Sequence, residues 1–298
     1  MRFGISGNIE KRELPEVLAQ IVNRFMKEGV QFVLHDVLAS VIRKRIDSKT
    51  LRGVSLANER SLAKACDIVI SLGGDGTILR TARLVGQVGT PIIGINLGKL
   101  GFLAEVSVEE LDECLSELLR GEYVVEERTM LYAKSKKLPQ AYHALNDIVV
   151  DRAMSARMIS IATYVNGAYL STYSGDGIIV STPTGSTGYA LSNGGPIVTP
   201  STHSIMISPI CPHTLTARPV LVPDDSVVDL RITTAPGKIH ITADGQPVSL
   251  LKAPIDVRVQ KAPFVTRLVR RKKATYYDVL RKKLHWGKDL RATKDNTA

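Results

Sequence analysis

One strand-turn-helix segment carries most of the fold information in this chain: Asp67-Ile68-Val69-Ile70-Ser71-Leu72-Gly73-Gly74-Asp75-Gly76-Thr77-Ile78-Leu79-Arg80. Its first six residues are almost continuously apolar, which predicts a strand covered on both faces, as in a parallel sheet. Three glycines then break the strand, and a helical pattern resumes at Thr77 and extends to Val85. A buried strand followed directly by a glycine turn and a helix is the repeating unit of an α/β domain.

The same alternation of strands and helices extends on both sides of this segment. We predict strands at residues 3–6, 31–34 and 91–96, and helices at residues 14–27 and after a capping box at Ser107 and Glu110. From residue 124 to 266 the pattern changes to short strands separated by turns, including the hairpin dipeptides Asn166-Gly167 and Asp244-Gly245. The sequence therefore predicts an α/β N-terminal domain with a parallel sheet, residues 1–123, plus a mainly-β second domain, residues 124–266. The C-terminal segment, residues 267–298, is expected to rejoin the first domain.

Composition narrows the functional class. The chain has 298 residues with 44% hydrophobic content, and no apolar run approaches the roughly 18 residues of a membrane span. The N-terminus lacks the basic-then-apolar layout of a secretory signal, so we expect a cytoplasmic protein that does not partner a membrane. The six His and three Cys residues show no metal-ligand spacing. We therefore predict no protein-held metal, and any divalent ion should arrive with a nucleotide.

The formal charge of +10 is concentrated in the C-terminal segment. Residues 267–298 contain eleven Lys or Arg and three Asp, a balance of +8. This segment has two interpretations: an arm that binds polyanions, or a solvated helix followed by a frayed end. We favour the second interpretation and do not expect a nucleic-acid partner, because the sequence contains no nucleic-acid-binding motif.

The glycine turn is the first candidate site. Glycines let a ligand approach the backbone closely, and the start of a helix offers unpaired N–H groups with a partial positive charge, which together favour phosphate. The spacing matches neither a P-loop nor a Rossmann turn. A carboxylate at Asp75 would repel phosphate unless it holds Mg²⁺ or takes a proton from an attacking hydroxyl. The alternative is an N-cap that binds the first helical turn.

Two further clusters are candidates for sugar binding. Asn146 and Asp147 come directly before an apolar run. Their side chains could hydrogen-bond to the vicinal hydroxyls of a ribose, although such pairs are also ordinary turn residues. Six hydroxyl-bearing residues lie between Ser181 and Tyr189 among several glycines. A loop of this kind can donate hydrogen bonds to sugars and phosphates.

Taken together, these clusters resemble the NAD kinase family over most of the chain. The Gly-Gly-Asp-Gly turn alone is shared with lipid kinases and phosphofructokinases, whereas the Thr-Gly-Ser-Thr-Gly-Tyr segment at residues 184–189 is more specific. Further matches occur at Gly98-x-x-Gly101-Phe102-Leu103, at Pro212-His213-x-Leu215-x-x-Arg218-Pro219, and at the closing Tyr276-Tyr277-x-x-Leu280-x-x-Lys283-Leu284-x-Trp286.

The resemblance implies a role for each matching residue. Asp75 is similar to the family's catalytic aspartate, the base or orienter of the adenosine ribose 2′-hydroxyl of NAD. Phosphates would meet Gly73, Gly74, Gly76 and Arg80, and the ribose would meet Asn146 and Asp147. The adenosine-binding segment is matched by Thr184, Thr187, Gly188, Tyr189, Ala190, Leu191 and Ser192. Asp176 matches a residue that reaches NAD across a subunit boundary, and Arg157 and Gln246 lie near nucleotide in relatives. The sequence departs from the family at Ser174, where bacterial relatives often carry a basic residue near the nucleotide.

The resemblance thus implies a kinase that converts NAD to NADP, with ATP or polyphosphate as donor and Mg²⁺ arriving with ATP. It also implies a homodimer or homotetramer in which subunits share the NAD site. Two alternatives remain open to the sequence. One is a lipid kinase of the diacylglycerol or sphingosine type, and the other is a non-catalytic regulator that senses NAD.

Overall fold

The chain divides into two compact units. The computed structural model describes residues 1–43, 45–46, 54–155, 157–233, 237–273 and 275–287. The first unit contains Met1–Leu84, Thr90–Glu126 and the described residues from Leu268 onward. The second contains Val85–Gly89 and Glu127–Arg267.

The first unit alternates strands and helices along the chain. Its described elements are β1 (Arg2–Gly7), α1 (Leu14–Lys27), β2 (Gln31–His35), α2 (Ala39–Ile42), β3 (Ser55–Ala57), β4 (Ile68–Gly73), α3 (Asp75–Val85), β5 (Ile92–Asn96) and α4 (Leu111–Leu119). The strands pair in parallel in the order β5-β4-β1-β2-β3. Helix α3 begins two residues before the predicted Thr77, and α4 begins at Leu111 after a turn that starts at Ser107.

The core of the first unit lies between the sheet and its helices. Every residue of β4 and β5 is buried, because each strand has neighbours on both edges and helices on its faces. Helix α1 buries its predicted apolar stripe, and the ring of Phe25 stacks on that of Phe3 with 5.1 Å between centroids. Burial of these side chains is the main stabilising term for this unit.

Buried polar contacts fasten α3 to the strand before it. The hydroxyls of Ser71 and Thr81 hydrogen-bond at 2.9 Å, and Thr81 also donates to the Thr77 carbonyl. A side chain on Gly73 would overlap Thr77. The glycine at this position therefore lets the helix start directly against the end of the strand.

The second unit is mainly β, as predicted. The chain enters it within β6 (Tyr123–Lys134). It continues through β7 (Tyr142–Ala144), β8 (Asp147–Asp151), β9 (Ile159–Val165), β10 (Ala168–Gly175), β11 (Gly177–Ser181), α5 (Tyr189–Ser192), β12 (Ser204–Ile210), β13 (Val220–Pro223), β14 (Val228–Ile232), β15 (Lys238–Ala243) and β16 (Gln246–Lys252), and leaves within β17 (Ile255–Arg271).

Two antiparallel layers enclose the core of the second unit. One layer has the order β13-β12-β11-β8-β15-β16, and the other has the order β10-β9-β14-β17. Apolar residues of both layers form one buried cluster. The predicted hairpins at Asn166-Gly167 and Asp244-Gly245 are confirmed, since both residues of each pair have the positive φ of a type I′ turn.

The last described element is α6 (Tyr276–Leu284), a helix of the first unit. Thr275 and Asp278 form a reciprocal capping box that fixes its first turn. Within the described residues, none of the helices combines the length and apolarity required to cross a bilayer. Among the described residues of the basic C-terminal segment, five cations form ion pairs with carboxylates: Arg267, Arg270, Arg271, Lys273 and Arg281. Residues 288–298 of that segment lie outside the described residues.

Arg271 is the centre of the strongest of these ion-pair networks. Its guanidinium contacts Glu117 at 2.6 Å, Glu113 at 2.7 Å and Glu110 at 3.0 Å, all on or beside α4. The side chains of Arg271 and Glu117 are largely buried. Because buried charges are costly to leave unpaired, this network makes α4 depend on the end of β17.

We predict that Arg271→Met lowers the unfolding free energy of the first unit by about 2 kcal/mol, because it leaves the buried Glu117 with only the more distant ammonium of Lys273, at 3.7 Å, among its described ion-pair partners. Urea unfolding followed by the fluorescence of Trp286, the chain's single tryptophan, measures this. Arg120→Met is the matched control, since Arg120 and Glu122 form an exposed pair worth less than about 1 kcal/mol. Equal effects of the two substitutions would contradict the prediction.

Candidate active site

The glycine turn presents a carboxylate that is held by the backbone of another loop. Asp75 Oδ2 accepts a hydrogen bond from the Phe102 amide at 2.8 Å. Asp75 Oδ1 accepts from the amides of Leu103 and Ala104, each at 3.0 Å. The first helical amides bond to the Gly74 carbonyl instead. The N-cap interpretation of Asp75 is therefore wrong.

The loop from Gly101 to Ala104 packs directly on this carboxylate. A β-carbon on Gly101 would overlap Asp75 Oδ1, so only glycine permits the approach. With three N–H donors fixed around it, the carboxylate has a single orientation. A carboxylate offers about four lone-pair sites; three are used, so the remaining one lies on Oδ2.

The other glycines of the turn differ from Gly73 in their surroundings. A β-carbon on Gly74 or Gly76 would meet no atom within 4 Å, and neither residue has a positive φ. The protein itself therefore does not require glycine at either position, whereas a ligand that approaches the backbone would. The amides of Thr77 and Ile78 bond to the Gly74 carbonyl, and the positive end of the dipole of helix α3 adds a partial positive charge at this place.

Arg80 lies one turn further along α3, and its exposed guanidinium donates to the Gly7 carbonyl at the end of β1. Lys11 follows β1, and its ammonium would lie 3.6 Å from a β-carbon on Gly98. Both cations lie in the first unit, at the carboxyl edge of its parallel strands, where α/β proteins bind ligands. Lys11 was missed by the sequence reasoning because no local pattern distinguishes it from a solvated lysine.

In the second unit, Asn146 and Asp147 stand at the start of β8, as predicted. A second aspartate organises their backbone: the Asp244 carboxylate accepts from the amides of Leu145 at 3.0 Å, Asn146 at 2.7 Å and Asp147 at 3.3 Å. Asp244 is the first residue of the β15–β16 turn and is itself buried. The pair is therefore presented on a rigid backbone.

Asp147 has an unusual environment for a carboxylate, with only 4% of its surface exposed. Burial, with a smaller contribution from the nearby Asp244 charge, raises the pKa of Asp147 to about 7. A carboxyl group that changes charge near neutral pH, next to an amide, is typical of a functional site.

Asn146 shows the clearest sign of a missing partner. Its Oδ1 is buried and has no hydrogen-bond partner among the described residues, although buried polar atoms are nearly always paired. The segment after β11 packs against it: a β-carbon on Gly185 would overlap the Asn146 carbonyl, and one on Gly188 would lie 3.3 Å from Asn146 Nδ2. The structure thus brings together two of the clusters that the sequence singled out.

The hydroxyl-rich segment is folded rather than an open loop. Thr184–Thr187 form a 3₁₀ turn that leads into α5, which contains Tyr189, Ala190, Leu191 and Ser192. Thr182 donates to the Leu145 carbonyl at 2.6 Å, Ser186 to the Pro183 carbonyl at 2.6 Å, and Thr187 to the Thr184 carbonyl at 3.1 Å. These three hydroxyls use their hydrogens within the fold, where they stabilise the turn. That this segment binds sugars and phosphates stays a prediction.

An open cleft of about 1110 Å³ lies within the second unit. Two predicted residues line it: Asp176, which pairs with Arg152 at 2.7 Å, and Tyr189, which is 48% exposed. His240 and Asp151 line it as well and contact each other at 3.4 Å. The sequence reasoning missed these two residues, because they lie on separate strands and no motif contains them.

Three other predicted residues lie outside this lining. The Ser174 hydroxyl bonds to that of Ser160 at 2.9 Å. Arg157 is exposed beside Ser155, and Gln246 is exposed at the start of β16. Asp244 was recognised only as a turn residue, because its bonds to residues 145–147 span almost 100 residues of sequence.

Comparison with known proteins identifies the family. The model of the ATP-NAD kinase N-terminal domain matches residues 3–123, and the model of the ATP-NAD kinase C-terminal domain matches residues 145–271. An NAD kinase of Geobacter sp. (strain M21) is 45% identical over 80% of this chain and 86% of its own. An NAD kinase of Caldanaerobacter subterraneus subsp. tengcongensis is 41% identical over 95% of this chain and 98% of its own.

Solved structures agree with these matches. Yeast NADH kinase complexed with NADH has a TM-score of 0.90 at 25% identity, over 99% of this chain and 90% of its own. An NAD kinase from Archaeoglobus fulgidus in complex with ATP has a TM-score of 0.75 at 26% identity, over 96% of this chain and 99% of its own. Neither the lipid-kinase nor the regulator alternative is favoured by any of these relatives. The chain belongs to the NAD kinase family of phosphotransferases.

Proposed function

We propose that Asp75 is the catalytic residue that orients or deprotonates the adenosine ribose 2′-hydroxyl of NAD while this hydroxyl attacks the γ-phosphoryl group of ATP. The observation that carries this proposal is the fixed Asp75 carboxylate in a turn whose Gly74 and Gly76 face open space. Preorganisation of this kind lowers a barrier because the group does not reorient during the reaction. The remaining lone pair on Oδ2 is the acceptor for the hydroxyl proton.

Phosphates are proposed to bind at Gly73, Gly74 and Gly76 and the start of α3, with Arg80 one turn along the helix. Phosphoryl transfer needs chiefly positioning and charge neutralisation, which backbone amides and a helix N-terminus supply. The ATP named in the Archaeoglobus fulgidus structure supports a nucleoside triphosphate donor. Polyphosphate is a second candidate donor, because the proposed contacts are made to phosphates and not to a base.

Asn146 and Asp147 are proposed to hold the ribose. The unpartnered Asn146 Oδ1 would accept from one sugar hydroxyl and Asp147 from its neighbour. Because the 2′- and 3′-hydroxyls are chemically similar, their discrimination depends on such fixed partners. The segment of residues 184–192 is proposed to bind adenosine, with the exposed ring of Tyr189 as its most accessible group.

Asp176 is proposed to reach NAD bound to a second copy of the chain, within a homodimer or homotetramer. In support, Asp176 lies in a cleft whose rim carries the exposed apolar side chains of Met154 and Leu250. Exposed apolar groups around a cleft favour burial against a partner. Arg157, Ser174 and Gln246 are assigned to the nucleotide surroundings by family resemblance.

Magnesium is proposed to arrive with ATP. Among the described residues, no three His, Cys, Asp or Glu side chains converge as a protein cage would require. Nucleotide-bound Mg²⁺ takes most of its ligands from phosphate and water and only one or two from carboxylates. Because the free lone pair of Asp75 is assigned to the ribose hydroxyl, phosphates and water would supply the ligands of the ion, which would neutralise phosphate charge.

The activity itself is tested by a coupled assay for NADP formation, with Mg-ATP and polyphosphate as donors side by side. We expect NADP to form with Mg-ATP, and chelation by EDTA to reduce the rate at least a hundredfold, because the phosphate charge is then not neutralised. Phosphorylation of diacylglycerol in place of NAD, or NAD binding without turnover, would overturn the proposal.

Asp75→Asn is expected to lower kcat about a thousandfold while the Kd for NAD changes less than about threefold. The substitution removes the proton acceptor but leaves the proposed ribose contacts in place. Steady-state kinetics and calorimetric titration of NAD give the two quantities.

Asp67→Asn is the control for Asp75→Asn, since Asp67 lies just before the same strand and also accepts a backbone amide. The kcat of Asp67→Asn and its Kd for NAD should lie within about twofold of the parent values. If the kcat of Asp75→Asn lay within a few-fold of the parent value, Asp75 would have no catalytic role.

The pKa of Asp147 predicts how NAD binding depends on pH. The group is protonated below about pH 7 and ionised above it, and an ionised carboxylate accepts hydroxyl bonds more strongly. The KM for NAD should therefore fall about fivefold from pH 6 to pH 8, and Asp147→Asn should abolish this dependence. Asp229→Asn, at a partly exposed ion pair with Arg258, should keep this dependence. An unchanged pH profile in Asp147→Asn would contradict the assignment.

A further inference from the structure

The closing motif of the chain contacts the loop that holds Asp75. Helix α6 buries only Val279 and Leu280, and its other residues are exposed or partly buried. Its last turn carries three cations: Arg281, Lys282 and Lys283. Arg281 pairs with Asp278 on its own helix, whereas the Lys283 ammonium leaves the helix and donates to the Leu100 carbonyl.

Lys283 contacts this loop at a second point. Its ammonium also lies over the ring of Phe102, 5.7 Å from the ring centroid. A cation over an aromatic face is attracted by the ring's quadrupole, and the attraction is greater when the cation is partly desolvated, as Lys283 is. The side chain therefore holds a carbonyl and a ring two residues apart.

The same few residues contact Asp75 from their other side. Phe102, whose ring lies under Lys283, donates its amide to Asp75 Oδ2. Between the two Lys283 contacts lies Gly101, which has no room for a side chain against Asp75. A displacement of this loop would therefore move the donors that fix the carboxylate.

Lysines in the last turn of a helix are common, because they interact favourably with the helix dipole. That explanation accounts for Lys282, which is exposed. It does not account for Lys283, because this side chain binds a carbonyl and a ring of another segment.

We infer that Lys283 is a positioning residue for the phosphoryl transfer: by holding the Leu100 carbonyl and the Phe102 ring, it fixes the loop that orients the Asp75 carboxylate. The inference rests on the catalytic role proposed for Asp75. It gives the C-terminal Tyr276–Trp286 motif a function in turnover, in addition to its function in the fold.

The test compares Lys283→Met, which keeps the apolar stem and removes the charge, with Lys283→Arg and with the neighbouring Lys282→Met. We expect Lys283→Met to lower kcat about tenfold with the KM for NAD and for ATP within about twofold, since misplacement of a reacting group affects turnover more than binding. Lys283→Arg should restore kcat to within about threefold of the parent, because a guanidinium can bind both the carbonyl and the ring. Lys282→Met should leave kcat and both KM values equal to those of the parent.

Two readouts separate positioning from a loss of structure. The Tm should stay within about 2 °C of the parent and the emission of Trp286 should be unchanged, which shows that α6 remains in place. In the Asp75→Asn background, Lys283→Met should reduce kcat by less than about twofold more, because it acts through the group already removed. A fall in kcat accompanied by a lower Tm and a shifted Trp286 emission would overturn the inference. It would also be overturned if Lys283→Met lowered kcat by the same factor in the Asp75→Asn background as in the parent.

The inference and the proposed function fail in different ways. Parent-like kinetics of Lys283→Met, together with an inactive Asp75→Asn, would overturn the role of Lys283 and leave that of Asp75 intact. Parent-like turnover of Asp75→Asn would overturn both.

Discussion

Backbone N–H groups near a ligand site must find acceptors, and in this protein two aspartates each accept three of them. Asp75 binds the amides of residues 102–104 in the first unit, and Asp244 binds those of residues 145–147 in the second. Unpaired amides are costly where water is excluded, so each carboxylate stabilises the segment whose amides it accepts. Each also fixes the position of the residues that the proposed chemistry uses.

The two aspartates nevertheless differ in how accessible their carboxylates are to a ligand. Asp244 is buried and serves to hold the Asn146–Asp147 backbone. Asp75 is only partly buried and lies between Gly74 and Gly76, where a β-carbon would meet no protein atom within 4 Å. The same hydrogen-bonding arrangement thus supports a structural role in one unit and a proposed catalytic role in the other. Solvent access and the surrounding glycines make the difference, since a reacting group must be reachable as well as fixed.

Polar and charged groups that stand out in the sequence are often used within the fold. The hydroxyls of Thr182, Ser186 and Thr187 satisfy nearby carbonyls, and several cations of the basic C-terminal segment pair with carboxylates. Asn146 Oδ1 is the opposite case, a polar atom that remains without a partner. Because folding pairs most buried polar atoms, the unpaired ones point to a ligand more reliably than a high density of hydroxyls does.

The sequence by itself determined the alternating architecture of the first unit, the β-rich second unit, both Asp-Gly and Asn-Gly hairpins, and the glycine turn with Asp75. These features depend on local periodicity and on backbone freedom, which a few adjacent residues specify. Only the tertiary structure decided that the Asp75 carboxylate faces residues 102–104, that Asp244 supports Asn146 and Asp147, and that Lys283 reaches Leu100. Each of these contacts joins residues that are about 25 to 185 positions apart. No local pattern encodes such contacts, because they depend on how strands and helices pack after the chain has folded.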